Sequence, residues 1–403
     1  MKGEARAIRN AHAAPPEEPY GAQRAAVMSG ERFDAALAEI SSWPGYAVTP
    51  LHRLDALAAK LGLASLRYKD ERGRFGLGSF KALGGAYAVA NVLRHKVMEA
   101  RGLPDVTSRQ LLSGAFADLV RGATVTCATD GNHGRSVAWG AQLFGCRCVI
   151  FVHQHVSQGR RDAIAKYGAE VREVEGNYDD AVRHAAATAQ ACGWTVVSDT
   201  SYPGYRDIPL DVMHGYGVMA AEIADQLGGA PPTHVLAQAG VGALAAAVCA
   251  SFWLRWGEAR PRFVVVEPLH ADCVYRSLEA GRPVVVGGSL DTVMAGLACG
   301  EVSELAWEIL HGGANAAVAL DDAYALEAMR LLARPAAGDP PIVAGETGGA
   351  GLGALLAARD YPEIRAALAL DAGSRVLLLG SEGDTDPAIY REVVGRSAQE
   401  VLA

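Results

Sequence analysis

The stretch Ala123-Thr-Val-Thr-Cys-Ala-Thr-Asp-Gly-Asn-His-Gly-Arg135 decides how this chain is read. A β-prone run enters a polar loop with two glycines, and residues 133–144 follow as an apolar-faced helical stretch. Beyond them, Cys148-Val-Ile-Phe-Val152 is again strand-like. Strand, glycine loop, helix and strand make a βαβ unit, which requires parallel pairing. The alternation continues with helical stretches at 157–167 and 179–191 and strand-like runs at 170–174, 194–197, 233–236, 263–266 and 376–379. The fold class expected is therefore α/β, built on mostly parallel, twisted sheets flanked by helices.

Length sets the next bound. At 403 residues the chain exceeds one small core, so two domains are expected. Half of its residues are hydrophobic and 20% are charged, a globular rather than a disordered balance. The net charge of −8, with no basic cluster, excludes a nucleic-acid binder. Residues 1–23 mix charges with prolines and lack an apolar core, so they read as a loosely held arm and not a secretory signal. Residues 235–254 carry no charge, but they divide into a strand, a glycine turn and an Ala-rich helix too short to cross a bilayer. Seven cysteines form no C-x-x-C pair, and Cys146-x-Cys148 has no histidine cluster beside it, so no metal site is expected. The compartment reads as reducing cytoplasm. Residues 228–232, Gly-Gly-Ala-Pro-Pro, look like a joint between lobes, and 334–341 like a surface loop.

In open parallel sheets ligands bind beyond the carboxyl ends of the strands, where most of the distinctive segments fall. Lys81 stands apart, in Gly78-Ser-Phe-Lys-Ala-Leu-Gly-Gly85. A lysine alone is a solvated surface residue, but Phe80 and Leu83 flank this one and Gly84-Gly85 permits close backbone approach. It should open a helix whose dipole helps keep the amine neutral, ready to form an imine with an aldehyde. The loop Thr129-Asp-Gly-Asn-His-Gly134 is a helix cap on a bland reading. Its combination of Asp130, Asn132 and His133 with glycines also suits a carboxylate, held by backbone N–H groups and the Asn132 amide. Gln238-Ala-Gly-Val-Gly-Ala243 frees amides for a phosphate, while Gly240-x-Gly242-x-x-Ala245 with Glu267 equally fits a dinucleotide fingerprint. On that segment alone the two readings stay open. Lys81 and the Asp130 loop, which a dehydrogenase does not need, favour pyridoxal phosphate and an amino-acid substrate. Ser381, in Ser-Glu-Gly-Asp-Thr-Asp386, is either part of an acidic turn or a partner for the cofactor's ring nitrogen. Asp199 is either a turn residue or a carboxylate crowded by two tyrosines, its pKa raised for acid–base work or for binding a cation. Gly345-Glu-Thr-Gly-Gly-Ala-Gly351 reads as a loop or as backbone brought near the cofactor.

In this order, these segments resemble the tryptophan-synthase-β-like, fold type II pyridoxal-phosphate enzymes, and within them the diaminopropionate ammonia-lyases. The resemblance runs from about residue 40 to 395. It rests on residues 75–87, 128–135, 177–180, 238–242, 266–268, 294–301 and 382–386. It implies an arm at 1–39, a large cofactor-binding domain from 40–87 and 221–403, a small domain at 88–220, and a site in the cleft between them. Lys81 matches the family's cofactor-bearing lysine, and Asp130 and Asp199 its two active-site aspartates. The threonine and serine dehydratases usually carry Ser or Thr where this chain has Asp130, and a carboxylate there suits a substrate with a second ammonium group. Cys273 and Cys299 fall where the family can carry paired cysteines; a reduced pair is expected here.

The activity implied is α,β-elimination of 2,3-diaminopropionate to pyruvate and two ammonia. The cofactor set is Lys81, Phe80, Asn132, Gly240, Val241, Gly242, Ala243 and Ser381. The substrate set is Thr129, Asp130, Gly131, His133 and Asp199, with Lys81, Asp130 and Asp199 catalytic. Lys81 and Asp130 would take the Cα proton from opposite faces, and Asp199 would bind the β-ammonium or protonate the departing amine. A threonine or serine dehydratase of the same fold is the alternative, and an NAD-dependent oxidoreductase a more distant one. Enzymes of this type are commonly homodimers; no nucleic acid or membrane partner is expected.

Overall fold

The computed structural model describes residues 3–129 and 131–403. Its strands are β1 Ala5–Arg9, β2 Leu51–Arg53, β3 Ser65–Asp70, β4 Thr124–Ala128, β5 Arg147–His153, β6 Glu170–Val174, β7 Thr195–Val196, β8 His234–Gln238, β9 Arg262–Pro268, β10 Ala316–Leu320 and β11 Arg375–Gly380. The chain divides into two compact units. One comprises residues up to Gly30, Val48–Ser79 and Met219–Ala403; the other comprises Glu31–Ala47 and Phe80–Val218. The divisions thus fall at Ser79 and Val218, not at 87 and 220, and Lys81 belongs to the smaller unit. The 228–232 stretch lies inside the larger unit rather than at a boundary.

The larger unit is built on one sheet in the order β1-β10-β9-β8-β11-β3-β2. Its five inner strands run parallel, and β1 and β2 close the edges antiparallel. Strands covered on both faces need apolar side chains on both, and β8 and β10 are buried at every residue. Leu236, Val264, Val266, Val318 and Leu378 join the helices Asp322–Ala333 and Ala350–Asp360 in one core. The N-terminal arm needs correcting: residues 5–9 pair along their whole length with Ala316–Leu320. They cover what would otherwise be an open sheet edge.

The smaller unit carries the sheet β6-β5-β4-β7, parallel throughout. β5 is almost wholly buried, whereas the edge strand β6 keeps its charged residues outward. The helices Ala82–Arg101 and Asn132–Phe144 pack closely. Gly85 makes this possible, because a Cβ there would lie 2.0 Å from Ser136 Oγ. Gly84 likewise yields its space to the Tyr216 ring. The close approach read from this glycine pair is therefore one of helices. Asn177 and Asp180 cap the helix Tyr178–Cys192 reciprocally, so that motif has a structural use. Helix Ala243–Trp256 is buried, and among the described residues no helix is long and apolar enough to cross a membrane.

Candidate active site

Lys81 is the residue from which the helix Ala82–Arg101 starts, as expected. The chain reaches it through a tightly held segment of the larger unit. Within the segment Glu71–Gly76, Arg74 donates to both carboxylate oxygens of Glu71, at 2.8 Å each. It also meets both oxygens of Glu222, at 2.8 and 2.7 Å. Lys69 adds a bond to Glu222 at 2.7 Å and Thr49 one to Glu71 at 2.5 Å. Two buried cations and two buried anions thus neutralise each other with complementary hydrogen bonds. Gly78 O and Ser79 then pair with Gly383 and Glu382. Sequence reasoning missed this cluster: its charges lie far apart in the chain, and each alone reads as a surface residue.

In the smaller unit, Lys81 Nζ lies 2.5 Å from Asp199 Oδ2, with the two side chains 19% and 17% exposed. The Phe80 and Tyr216 rings stand 5.5 and 5.8 Å from the amine, centroid to nitrogen. Tyr216, on helix Asp207–Gln226, gave no sequence signal because it sits in an apolar helix. Asp199 follows β7, and Tyr205 fixes the backbone leading to it. The Tyr205 hydroxyl donates to Val196 O and accepts from Ser198 N, both at 2.9 Å. The raised Asp199 pKa expected from its surroundings needs correcting. Burial pushes it up, but Lys81 and then His133 more than offset this, holding the carboxyl well below the usual range.

His133, in the first turn of helix Asn132–Phe144, is buried. Its Nε2 lies 2.8 Å from Val197 O, an acceptor only, so Nε2 carries the hydrogen. Its Nδ1 is 3.8 Å from Asp199 Oδ2. Thr129 Oγ1 accepts from the amides of Gly131 and Gly134, at 3.1 Å each, shaping the loop ahead of that helix. Asp130 lies outside the described residues.

The larger unit presents different chemistry. Gly242, with φ +91, caps helix Ala243–Trp256, and among the described residues no side chain caps it, so its first amides suit an anion. Gly240 admits no side chain: a Cβ there would stand 2.9 Å from Gly296 O. Gln238 Nε2 donates to Leu379 O at 2.8 Å and to Ser381 Oγ at 2.6 Å. The Leu379 carbonyl fixes the amide's orientation, so the Ser381 hydroxyl accepts from Gln238 and keeps its own proton to donate. Gln238 opens the glycine motif at 238–243, whose sequence carries no sign of this orienting bond. The glycine-rich stretch 345–351 packs on the acidic turn, with Gly345 N bonded to Glu382 O and Thr347 N to Glu382 Oε1. Cys273 and Cys299 are not joined by a disulfide, and the Cys273 thiol lies 3.5 Å from Gly240 O.

Glu267 settles the dinucleotide alternative. Its carboxyl accepts from Val274 N at 2.9 Å and Tyr275 N at 2.6 Å, so it caps the following helix and does not face a ribose. A half-buried amine, an uncapped helix start behind Gly240-x-Gly242, and a hydroxyl with a proton to give are parts that pyridoxal phosphate requires.

Comparison with known proteins agrees with that fit. The family described as pyridoxal-phosphate dependent enzyme matches residues 42–382. The diaminopropionate ammonia-lyase of Salmonella typhimurium is 40% identical over 391 residues, covering 94% of this chain and 96% of that protein. Its Escherichia coli K12 counterpart is 44% identical over 356 residues, covering 87% and 88%. The crystal structure of holo diaminopropionate ammonia lyase from Escherichia coli has a TM-score of 0.88 at 39% identity, covering 98% of this chain and 97% of that one. The chain belongs to the fold type II pyridoxal-phosphate-dependent enzymes, in the branch of the diaminopropionate ammonia-lyases.

Proposed function

We propose that the protein eliminates ammonia from 2,3-diaminopropionate, giving pyruvate and two ammonia. The observation carrying this reading is the Lys81–Asp199 pair, an amine and a carboxylate 2.5 Å apart beside aromatic rings. Bound pyridoxal phosphate supplies an aldehyde for the amine and an electron-withdrawing ring for the substrate carbon. In this reading Lys81 holds the cofactor, with Phe80 beside it and Asn132 bonding its phenolic oxygen. The amides of Gly240, Val241, Gly242 and Ala243 take the phosphate, and Ser381 donates to the ring nitrogen. A neutral ring partner of this kind tempers electron withdrawal and favours elimination over transamination.

The loop Thr129, Asp130, Gly131 and His133 holds the substrate's carboxylate end. Lys81 removes the Cα proton on one face and Asp130 on the other. Asp199 receives the β-ammonium group, taking over the role of counter-ion that it plays toward Lys81. We extend the reading to a cytoplasmic homodimer; the seven cysteines, none of them in a disulfide, suit a reducing compartment. Light scattering on the purified protein tests the dimer.

A panel of both diaminopropionate enantiomers, serine and threonine tests the activity, with pyruvate and 2-oxobutyrate measured separately. Pyruvate from diaminopropionate at the highest kcat/KM is the expected result. 2-Oxobutyrate from threonine, with no turnover of diaminopropionate, would move the protein to the dehydratases.

A further inference from the structure

We propose that His133 is the proton-holding partner of Asp199, with Nε2–H anchored on Val197 O and Nδ1 aimed at the Asp199 carboxylate. This goes beyond the loop's role in substrate binding and rests on the lyase reading for its catalytic use. Three observations carry it. The ring is buried and its Nε2 proton is committed at 2.8 Å, so Nδ1 bears the lone pair. Among the described residues Nδ1 has no hydrogen-bond partner, and it faces Asp199 Oδ2 across 3.8 Å. That same Oδ2 is the atom held by Lys81 at 2.5 Å.

These contacts imply an exchange of cations. While the Lys81 ammonium sits on Asp199, the carboxylate is neutralised and a proton on His133 would be redundant. Burial, together with the Lys81 charge, pushes the imidazole pKa down, and Asp199 pulls it up. When the Lys81 nitrogen is covalently engaged, the carboxylate loses that partner. A proton taken up at Nδ1 then replaces it, once the pair closes by about an ångström to hydrogen-bonding distance. Among the described residues the other titratable groups that feel Asp199 are the Cys127 thiol and the Tyr205 and Tyr216 phenols, all raised by burial and therefore neutral near pH 7. None of them supplies the missing positive charge.

The relay balances as follows. A β-group that arrives as the ammonium leaves as ammonia with no added proton; one that arrives as the neutral amine takes the carbon–nitrogen electron pair and needs one proton. Asp199 Oδ2 relays to it the proton held on His133 Nδ1 and ends, as it began, a carboxylate. The imidazole ends neutral and recovers one proton from solvent. His133 acts through Asp199, as a positioning and proton-holding residue.

Histidine ¹⁵N NMR tests the pair without turnover. In the wild-type protein freed of cofactor, His133 should stay neutral with hydrogen on Nε2 from pH 6 to 8. In Lys81→Ala its titration should move upward by about one pH unit or more, and Lys81→Ala/Asp199→Asn should reverse the shift. In the holoenzyme, His133→Gln should lower kcat about 10- to 100-fold and alter its pH profile. The NMR series leaves His133 intact, so it decides the matter even if His133→Gln fails to fold. A titration that is the same in all three proteins overturns the relay while leaving pyruvate formation, and the lyase reading, untouched. A shifted titration in a protein that makes no pyruvate upholds the proton pair and sinks the lyase reading instead.

Discussion

At the scale of single residues, the site is governed by what each charge faces. Asp199 shows this best: the sequence placed it after a strand beside tyrosines, which implied a raised pKa. The ammonium brought to it from 118 positions earlier in the chain reverses the sign. Lys81→Ala should abolish activity by at least about 10³-fold, and the purified protein should lack the visible absorbance of a bound pyridoxal imine. Asp199→Asn should lower kcat with diaminopropionate by about 10²- to 10⁴-fold, with a smaller loss for serine, which has no second ammonium group. Equal losses on both substrates would remove the β-ammonium from the role given to Asp199. Asp130→Asn should suppress D-diaminopropionate turnover by a similar factor and spare the L-isomer, as parallel initial rates on the two enantiomers would show.

At the scale of elements, glycines and buried charges set how helices and loops meet. Helix Ala82–Arg101 lies against Asn132–Phe144 because Gly85 leaves room for Ser136. Gly85→Ala should cost about 1–3 kcal/mol through overpacking, and adding Ser136→Ala should recover part of it, as denaturant midpoints would show. In the larger unit Arg74 is bonded to Glu71 and Glu222, each buried. Arg74→Met would leave two carboxylates short of positive charge and should destabilise by about 3–5 kcal/mol. The strands of the smaller unit were legible because their β-prone residues alternate with helical stretches. β10 was not, since Ala316-Ala-Val-Ala-Leu320 has little intrinsic strand preference and is extended by its neighbours on the sheet.

At the scale of the whole molecule, stability should depend on pH through Glu267. Burial raises its pKa from 4.5 to about 8, against the pull of the Val274 and Tyr275 amides. Between those values the native state keeps a proton that the unfolded chain has released. The contribution of Glu267 to stability should therefore fall as pH rises from about 4.5 to about 8 and level off above, opposite to the trend from buried His214, whose pKa is lowered from 6.5 to about 4. The difference in melting temperature between the wild-type protein and Glu267→Gln, followed across that range, should show the decline. Deleting residues 1–10 would remove β1 and bare the edge of β10; a lower melting temperature and concentration-dependent aggregation are the expected outcomes.

By itself the sequence determined the α/β class, the helix that Lys81 opens and the glycine turns, because propensity, hydrophobic period and local motifs act over a few neighbouring residues. It reached the family for the same reason: the distinctive segments are contiguous and keep their order. Only the tertiary structure decided the sign of the Asp199 pKa shift, the tautomer of His133, the buried Lys69–Glu71–Arg74–Glu222 cluster and the pairing of β1 with β10. Each of these depends on desolvation or on a partner distant in the chain. Coulombic and hydrogen-bond energies follow distance through space, which residue spacing does not encode.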